Sequence, residues 1–382
     1  MAPLEPWEKV LIDLEKYPST VHGQIACADC HGGAQASDKE TAHTDLIANP
    51  SEGPGSPCGE CHPDMAVAFP NSLHATQRGY WTTLDARSTP ENHAALETMF
   101  GNHCASCHTT CGDCHVSRPS SVGGGLLSGH VFEKTPPMTD VCTACHGSRV
   151  GNEFLGKHEG IPGDVHFREG RMNCVDCHTG HEMHGQPSDC AACHPGPEEA
   201  ALAPPDHRYS GVQFPTCESC HPAATTGQDG LEMHQAHGGD LSCQVCHSVT
   251  YTSCDGCHVA ISDTTGQPFY KSEGDYPTFL IGRNSLQSYQ RPYAFVPVRH
   301  VPIDPDSYAF YGEDLLSNFD ALPTWVYATP HNIQLKTPQA ETCNACHGNP
   351  ALFLTADKVA PEELEANRNI IIETVPAPIP EQ

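Results

Sequence analysis

The chain has 382 residues, with 19 lysines and arginines against 47 aspartates and glutamates, for a formal net charge of −28. So acidic a surface argues against nucleic acid and anionic membrane surfaces as partners and favours cationic partners, metal ions and mineral surfaces. Only 38% of the residues are hydrophobic, and 33 glycines and 34 prolines interrupt regular structure, so polypeptide alone would leave much of the chain without a core. No stretch approaches the roughly eighteen consecutive apolar residues of a membrane-spanning helix, so no transmembrane segment is expected.

The first element expected is a short helix over PWEKVLIDLEKY, where Trp7, Val10, Leu11 and Leu14 fall at helical spacing with charges on the other face. From Cys27 onward one motif, Cys-x-x-Cys-His, recurs. Its first copies are Cys27, Cys30 and His31; Cys58, Cys61 and His62; Cys104, Cys107 and His108; and Cys111, Cys114 and His115. The next are Cys142, Cys145 and His146; Cys174, Cys177 and His178; and Cys190, Cys193 and His194. Then come Cys217, Cys220 and His221; Cys243, Cys246 and His247; and Cys254, Cys257 and His258. Residues 1–258 thus form a region dense in motifs, with ten copies.

Residues 259–342 hold no cysteine, yet 13 of the 26 aromatic residues lie within 265–342. Repeated prolines there, among them Pro292, Pro297, Pro302 and Pro305, forbid long helices. This stretch is expected to be an extended strap wrapped over the rest of the molecule, or else a substrate-binding or docking surface. Residues 343–382 carry the eleventh copy, Cys343, Cys346 and His347, followed by a helical stretch from Ala360 to Arg368. Ile370, Ile371 and Ile372 read as a strand ahead of a proline-rich arm.

The eleven copies use all 22 cysteines, which leaves no thiol for a disulfide or a free nucleophile. On a short helical turn, positions i and i+3 project from one side. Two thiols so placed can add to the two vinyl groups of one porphyrin, and the next histidine then ligates the iron. Zinc ribbons need two cysteine pairs per metal and no histidine fixed at the following position. Thioredoxin-like dithiols need one pair in a βαβ setting. Eleven covalently bound haem c groups per chain are therefore expected, and the run HCASCHTTCGDCH (His103 to His115) should hold two of them almost in contact. Each macrocycle buries apolar surface in place of a core.

Fifteen histidines lie outside the motifs, more than eleven irons need as second axial ligands. The candidates are His22, His43, His74, His103, His130, His166, His184, His207, His237, His300 and His331. His103 is preferred to His93, His184 to His181, and His237 to His234, with His158 surplus. An iron held by two histidines has no open position, which suits electron transfer better than substrate activation; no catalytic residue is assigned.

With these motifs the chain resembles the multihaem c-type cytochromes that move electrons across or outside cell envelopes. The resemblance implies a fold of mostly coil with short helices and few strands, organised around a closely stacked haem chain. Decahaem outer-membrane conduits are similar in haem density but have one motif fewer and no long aromatic strap. Several octahaem reductases carry Cys-x-x-Cys-Lys at the catalytic haem, and no such copy occurs here. The extracellular cytochrome filaments are the most similar branch, which implies extracellular electron transfer as a homopolymer. Other redox proteins or extracellular acceptors such as metal oxides are the partners so implied. A periplasmic reductase with one open haem, or a soluble or outer-membrane conduit, is the alternative. Because covalent haem attachment takes place outside the cytoplasm, the chain is expected to be the mature form of a secreted protein. The isoleucine run and proline-rich arm would either add to a neighbouring copy or cover their own last motif.

Overall fold

The computed structural model describes residues 4–53, 55–185, 215–287 and 291–380. Among them the helices are short turns, apart from Arg78–Arg87 and His93–His103, and the rest is coil with a few antiparallel strands. No helix among the described residues is long and apolar enough to cross a membrane. The chain groups into two compact units, each assembled from non-contiguous segments.

The first unit comprises Met1–Gln77, Ala105–Ser148 and Asn173–His194. Among its described residues Val141 is the one hydrophobic side chain that is buried. The helix expected at its start is reduced to a single turn, Glu8–Val10, with Trp7, Val10, Leu11 and Leu14 all exposed. The reason is physical: a helix this short does not repay its nucleation cost unless its apolar face is packed against something. What order the unit has comes from turns, caps and backbone hydrogen bonds around its motifs.

The second unit comprises Arg78–Cys104, Arg149–Met172 and Pro195–Gln382, and it has a polypeptide core. Strands β1 (Thr252–Ile261) and β2 (Pro268–Pro277) form an antiparallel hairpin. Strands β3 (Leu280–Arg283), β4 (Phe295–His300) and β5 (Trp325–Tyr327) form a second antiparallel sheet. Val296, Val298 and Trp325 from this sheet pack with Leu354, Val359, Ile370 and Ile371, all buried. The aromatic stretch read as a strap thus supplies β2 to β5 and much of this core.

The isoleucine run is folded inward rather than offered outward. Ile370, Ile371 and Ile372 are buried, the Ile370 carbonyl accepts from the Arg283 amide at 2.8 Å, and the Ile372 amide donates to the Leu354 carbonyl at 2.8 Å. Close approach here requires Gly282, where a Cβ would sit 2.7 Å from Val298 Cγ2 and 3.1 Å from Ile370 Cγ2. The run is not a regular strand; its backbone bonds go to Asn367, to Arg283 of β3 and to Leu354. The helical stretch expected over 360–368 is present as a 3-10 turn, Pro361–Glu363, continued by the helix Leu364–Asn367.

His300, at the end of β4, ties three segments together. Its Nδ1–H donates to Asp255 Oδ2 at 3.0 Å, and its Nε2–H to the Glu363 carboxylate at 3.0 and 3.2 Å. Its ring stacks on Tyr276 at 4.8 Å. Burial pulls the imidazole pKa down, but hydrogen bonds and charge from Asp255 and Glu363 outweigh it and raise the value to about 9. A group raised above its unfolded value stabilises fully below that value, 6.5 here, and loses the contribution as pH rises through about 9. Urea unfolding should therefore show the second unit weaker by on the order of 3 kcal/mol at pH 10 than at pH 6. In His300→Gln this pH dependence should vanish; an unchanged dependence would place it elsewhere.

Candidate metal centres

Most of the described cysteine motifs sit on short turns, and three of these are capped by the side chain that precedes them. Thr110 and Asp113 form a reciprocal capping box on Cys111–His115, and Asn173 and Asp176 do the same on Cys174–Cys177. The Thr342 hydroxyl accepts from the Ala345 amide to start Cys343–Cys346. These caps satisfy amides that a helix of one turn leaves unpaired, and they hold both thiols to one side. The tenth motif departs from this pattern, because Cys254, Cys257 and His258 lie on β1. Its His258 places Nε2 3.1 Å from Asp304 Oδ2 and Nδ1 3.3 Å from the Asp306 carbonyl.

Among the described residues, seven motif histidines face a histidine from outside the motifs. Ring centroids are 5.9 Å apart for His31 and His130, 6.3 Å for His62 and His22, and 6.0 Å for His115 and His184. They are 6.2 Å apart for His146 and His74 and 6.0 Å for His221 and His166. The last two pairs are His247 with His234 at 6.0 Å and His347 with His237 at 6.1 Å. Metal–imidazole bonds of about 2 Å on opposite sides of one ion put the two centroids about 6 Å apart. Direct ring stacking in the same molecule is much closer, as with His22 on Phe132 at 3.9 Å.

The second ring nitrogen is held as a metal ligand requires. Nδ1–H donates to a backbone carbonyl from His31 (Ile47, 3.0 Å), His115 (Glu133, 2.7 Å), His247 (Gln334, 2.9 Å) and His347 (Ala377, 3.1 Å). On the facing side His184 donates to the Gly180 carbonyl at 2.6 Å and His237 to Met233 at 3.0 Å. His234 uses Asp229, and His166 uses Asp164 at 2.9 Å. Committing Nδ1 in this way fixes the tautomer and leaves Nε2 as the ring's free acceptor. Burial, and in addition the facing imidazole, keeps His22, His74, His130 and His184 below the usual histidine pKa. A neutral ring is the form that binds a metal.

Other sequence candidates have other surroundings. The buried His103 has Nε2 hydrogen bonded to the Tyr311 hydroxyl at 2.7 Å, and its carbonyl accepts from Tyr270. His300 lies between two carboxylates, as described above. His43 closes the short helix Lys39–Ala42. The His331 amide donates to the buried Glu153 carboxylate at 2.7 Å. Cys190, Cys193, His194 and His207 lie outside the described residues. His178 donates Nδ1–H to Glu182 at 3.0 Å, which raises its pKa. Of the histidines passed over, His93 lies near Asp85 and Glu97, and His158 stacks on Tyr251 at 3.9 Å. His234 is the residue that sequence reasoning missed. It shares the helix Glu232–His237 with His237, and i and i+3 positions on one face can serve two different partners.

Sulfurs of different motifs also meet. Cys58 hydrogen bonds Cys111, Cys107 bonds Cys145, Cys142 bonds Cys174, and Cys217 bonds Cys243. Burial pushes the Cys104 and Cys246 thiols up to about 11. Among the described residues no group of three or more histidine, cysteine, aspartate and glutamate side chains is arranged to hold a metal ion. Haem iron takes four ligands from the porphyrin and asks the protein for two, which is what each facing pair provides beside a cysteine pair. At seven motifs the donor set therefore fits haem c; at the tenth, His258 Nε2 is hydrogen bonded to Asp304, which would have to release it for iron to bind. No protein-family model matches the chain, and neither the curated proteins nor the solved structures give a match.

Proposed function

We propose that the protein is an electron carrier that binds haem c covalently at its eleven motifs and works outside the cytoplasm, passing electrons to redox proteins or extracellular acceptors. The observation that carries this reading is the seven imidazole pairs at 5.9–6.3 Å, each with one member from a Cys-x-x-Cys-His motif. Haem held in this way supplies a one-electron ferric–ferrous couple with no open coordination position. The chain's own residues do the rest. The cysteine pairs would anchor the macrocycle, the backbone carbonyls on Nδ1 fix the ring planes, and burial holds His22, His74, His130 and His184 below the usual histidine pKa. Forty-seven acidic residues steer cationic partners and surfaces toward the protein. The poor apolar burial of the first unit points the same way, since macrocycles at its own motifs would supply the missing core.

Pyridine haemochrome analysis with intact-mass measurement should give eleven haems per chain and no free thiol. Unmodified cysteines across several motifs in protein from its native secretions would overturn the assignment. Low-spin spectra should dominate both oxidation states. A strong high-spin signal in the unaltered protein, with carbon monoxide bound, would favour a reductase with an open haem.

Replacing His234 by Ala should convert one iron to a high-spin, carbon monoxide-binding form, read by magnetic circular dichroism. His93→Ala should leave the spectrum unchanged. The same response from both variants would refute the pairing of His234 with His247.

A further inference from the structure

Within the first unit the motif contacts do not follow chain order. Cys30 of the first motif lies within electrostatic reach of Cys58 of the second, and Cys58 hydrogen bonds Cys111 of the fourth. Cys114 of the fourth is in turn close enough to Cys142 and Cys145 of the fifth for their charges to act on it. The fifth motif then has two further contacts. Cys145 hydrogen bonds Cys107 of the third motif, and Cys142 hydrogen bonds Cys174 of the sixth.

The residue facing the fifth motif gives the same picture independently. His74, 6.2 Å from His146, is also within electrostatic reach of His178 of the sixth motif and of His184, which faces the fourth. Its backbone carbonyl accepts from the Thr109 amide at 3.4 Å and from the Thr109 hydroxyl at 3.4 Å. Thr109 directly follows His108 of the third motif. The sulfur contacts and the histidine surroundings therefore agree on the same three neighbours.

Resting on the haem reading above, we propose that the fifth motif, with His74, is a three-way junction where the third, fourth and sixth motifs meet, so that the redox path branches. One arm runs back through the fourth and second motifs to the first. The other two begin at the third and the sixth. A linear carrier has two ends, whereas this arrangement has an additional terminus and thus a second place to load or unload electrons. His74 is the positioning residue of the junction, since its ring serves the fifth motif while its backbone holds the third.

The test is an iron anomalous-difference map from crystals of the haem-loaded full chain. The iron between His74 and His146 should have three close iron neighbours, at the third, fourth and sixth motifs. Two close neighbours, or an order that follows the sequence, would overturn the junction. Irons missing from the motifs would instead overturn the haem reading itself. A second measurement uses His74→Met and His130→Met holoprotein, because a methionine ligand raises the potential of the site it serves. After pulse reduction, electron exchange among the other five sites of the first six motifs should slow about tenfold for each ~59 mV of that rise in His74→Met. It should be unchanged in His130→Met, whose site is the end of an arm. Equal slowing in both variants would reject the junction.

Discussion

Two imidazoles with ring centroids about 6 Å apart gain little from each other directly: ring contact at that distance is weak, and when both are protonated they repel. On the haem reading proposed above, an iron between them would supply what direct contact does not. The pairs also join segments that are distant in sequence: His130 comes back to His31, His184 to His115, and His347 to His237. An ion bridging such a pair restrains the chain as a cross-link does, and for a loop of roughly 100 residues that restraint is worth about 4–5 kcal/mol in the loop-entropy account. On the haem reading, pairing would therefore stabilise the chain as well as serve redox chemistry.

The two units depend on it to different degrees. The second has Trp325, Val296 and Val298 at its centre, and the isoleucine run closes over them. It keeps a protein core of the ordinary kind, supplied largely by the cysteine-free aromatic stretch. The first buries Val141 and little else that is apolar among its described residues. So few buried apolar side chains leave its order to turns, caps and backbone hydrogen bonds, and on the haem reading to what the motifs would hold. Loss of a bridging group should be felt most where there is no other core.

How far the sequence could be read follows from the range of each interaction. Motif turns are local, and Thr110 with Asp113 or Asn173 with Asp176 announces its cap three residues ahead. Motif positions and the largely coil architecture were legible for that reason. Partner choice is not local. Nothing near His300 distinguishes a metal ligand from a histidine clasped by Asp255 and Glu363, which arrive from other strands and turns. His103 is similar, because Tyr270 and Tyr311 approach it from far along the chain. Preferring His237 to His234 presumes that one of two neighbouring histidines suffices. The helix presents both, one to the ninth motif and one to the eleventh.

The proline-rich arm bears on assembly through the same geometry. It lies on its own last motif, where Gly348 donates to the Pro376 carbonyl at 2.7 Å, His347 to Ala377 at 3.1 Å, and Asn344 exchanges two bonds with Ile379 at 2.8 and 2.9 Å. Gly348 permits this fit, having φ +75° and a position where a Cβ would meet Pro378 Cγ at 2.5 Å. Four hydrogen bonds at about 1 kcal/mol each are a modest hold. A copy that exchanged arms with its neighbour would remake the same four bonds, so the net cost is small and the outcome depends on concentration. The arm also carries Ala377, whose carbonyl orients His347. Exchange would therefore make the orientation of His347 in each copy's last motif depend on the next copy's tail, joining assembly to the integrity of that motif without any new interface of side chains.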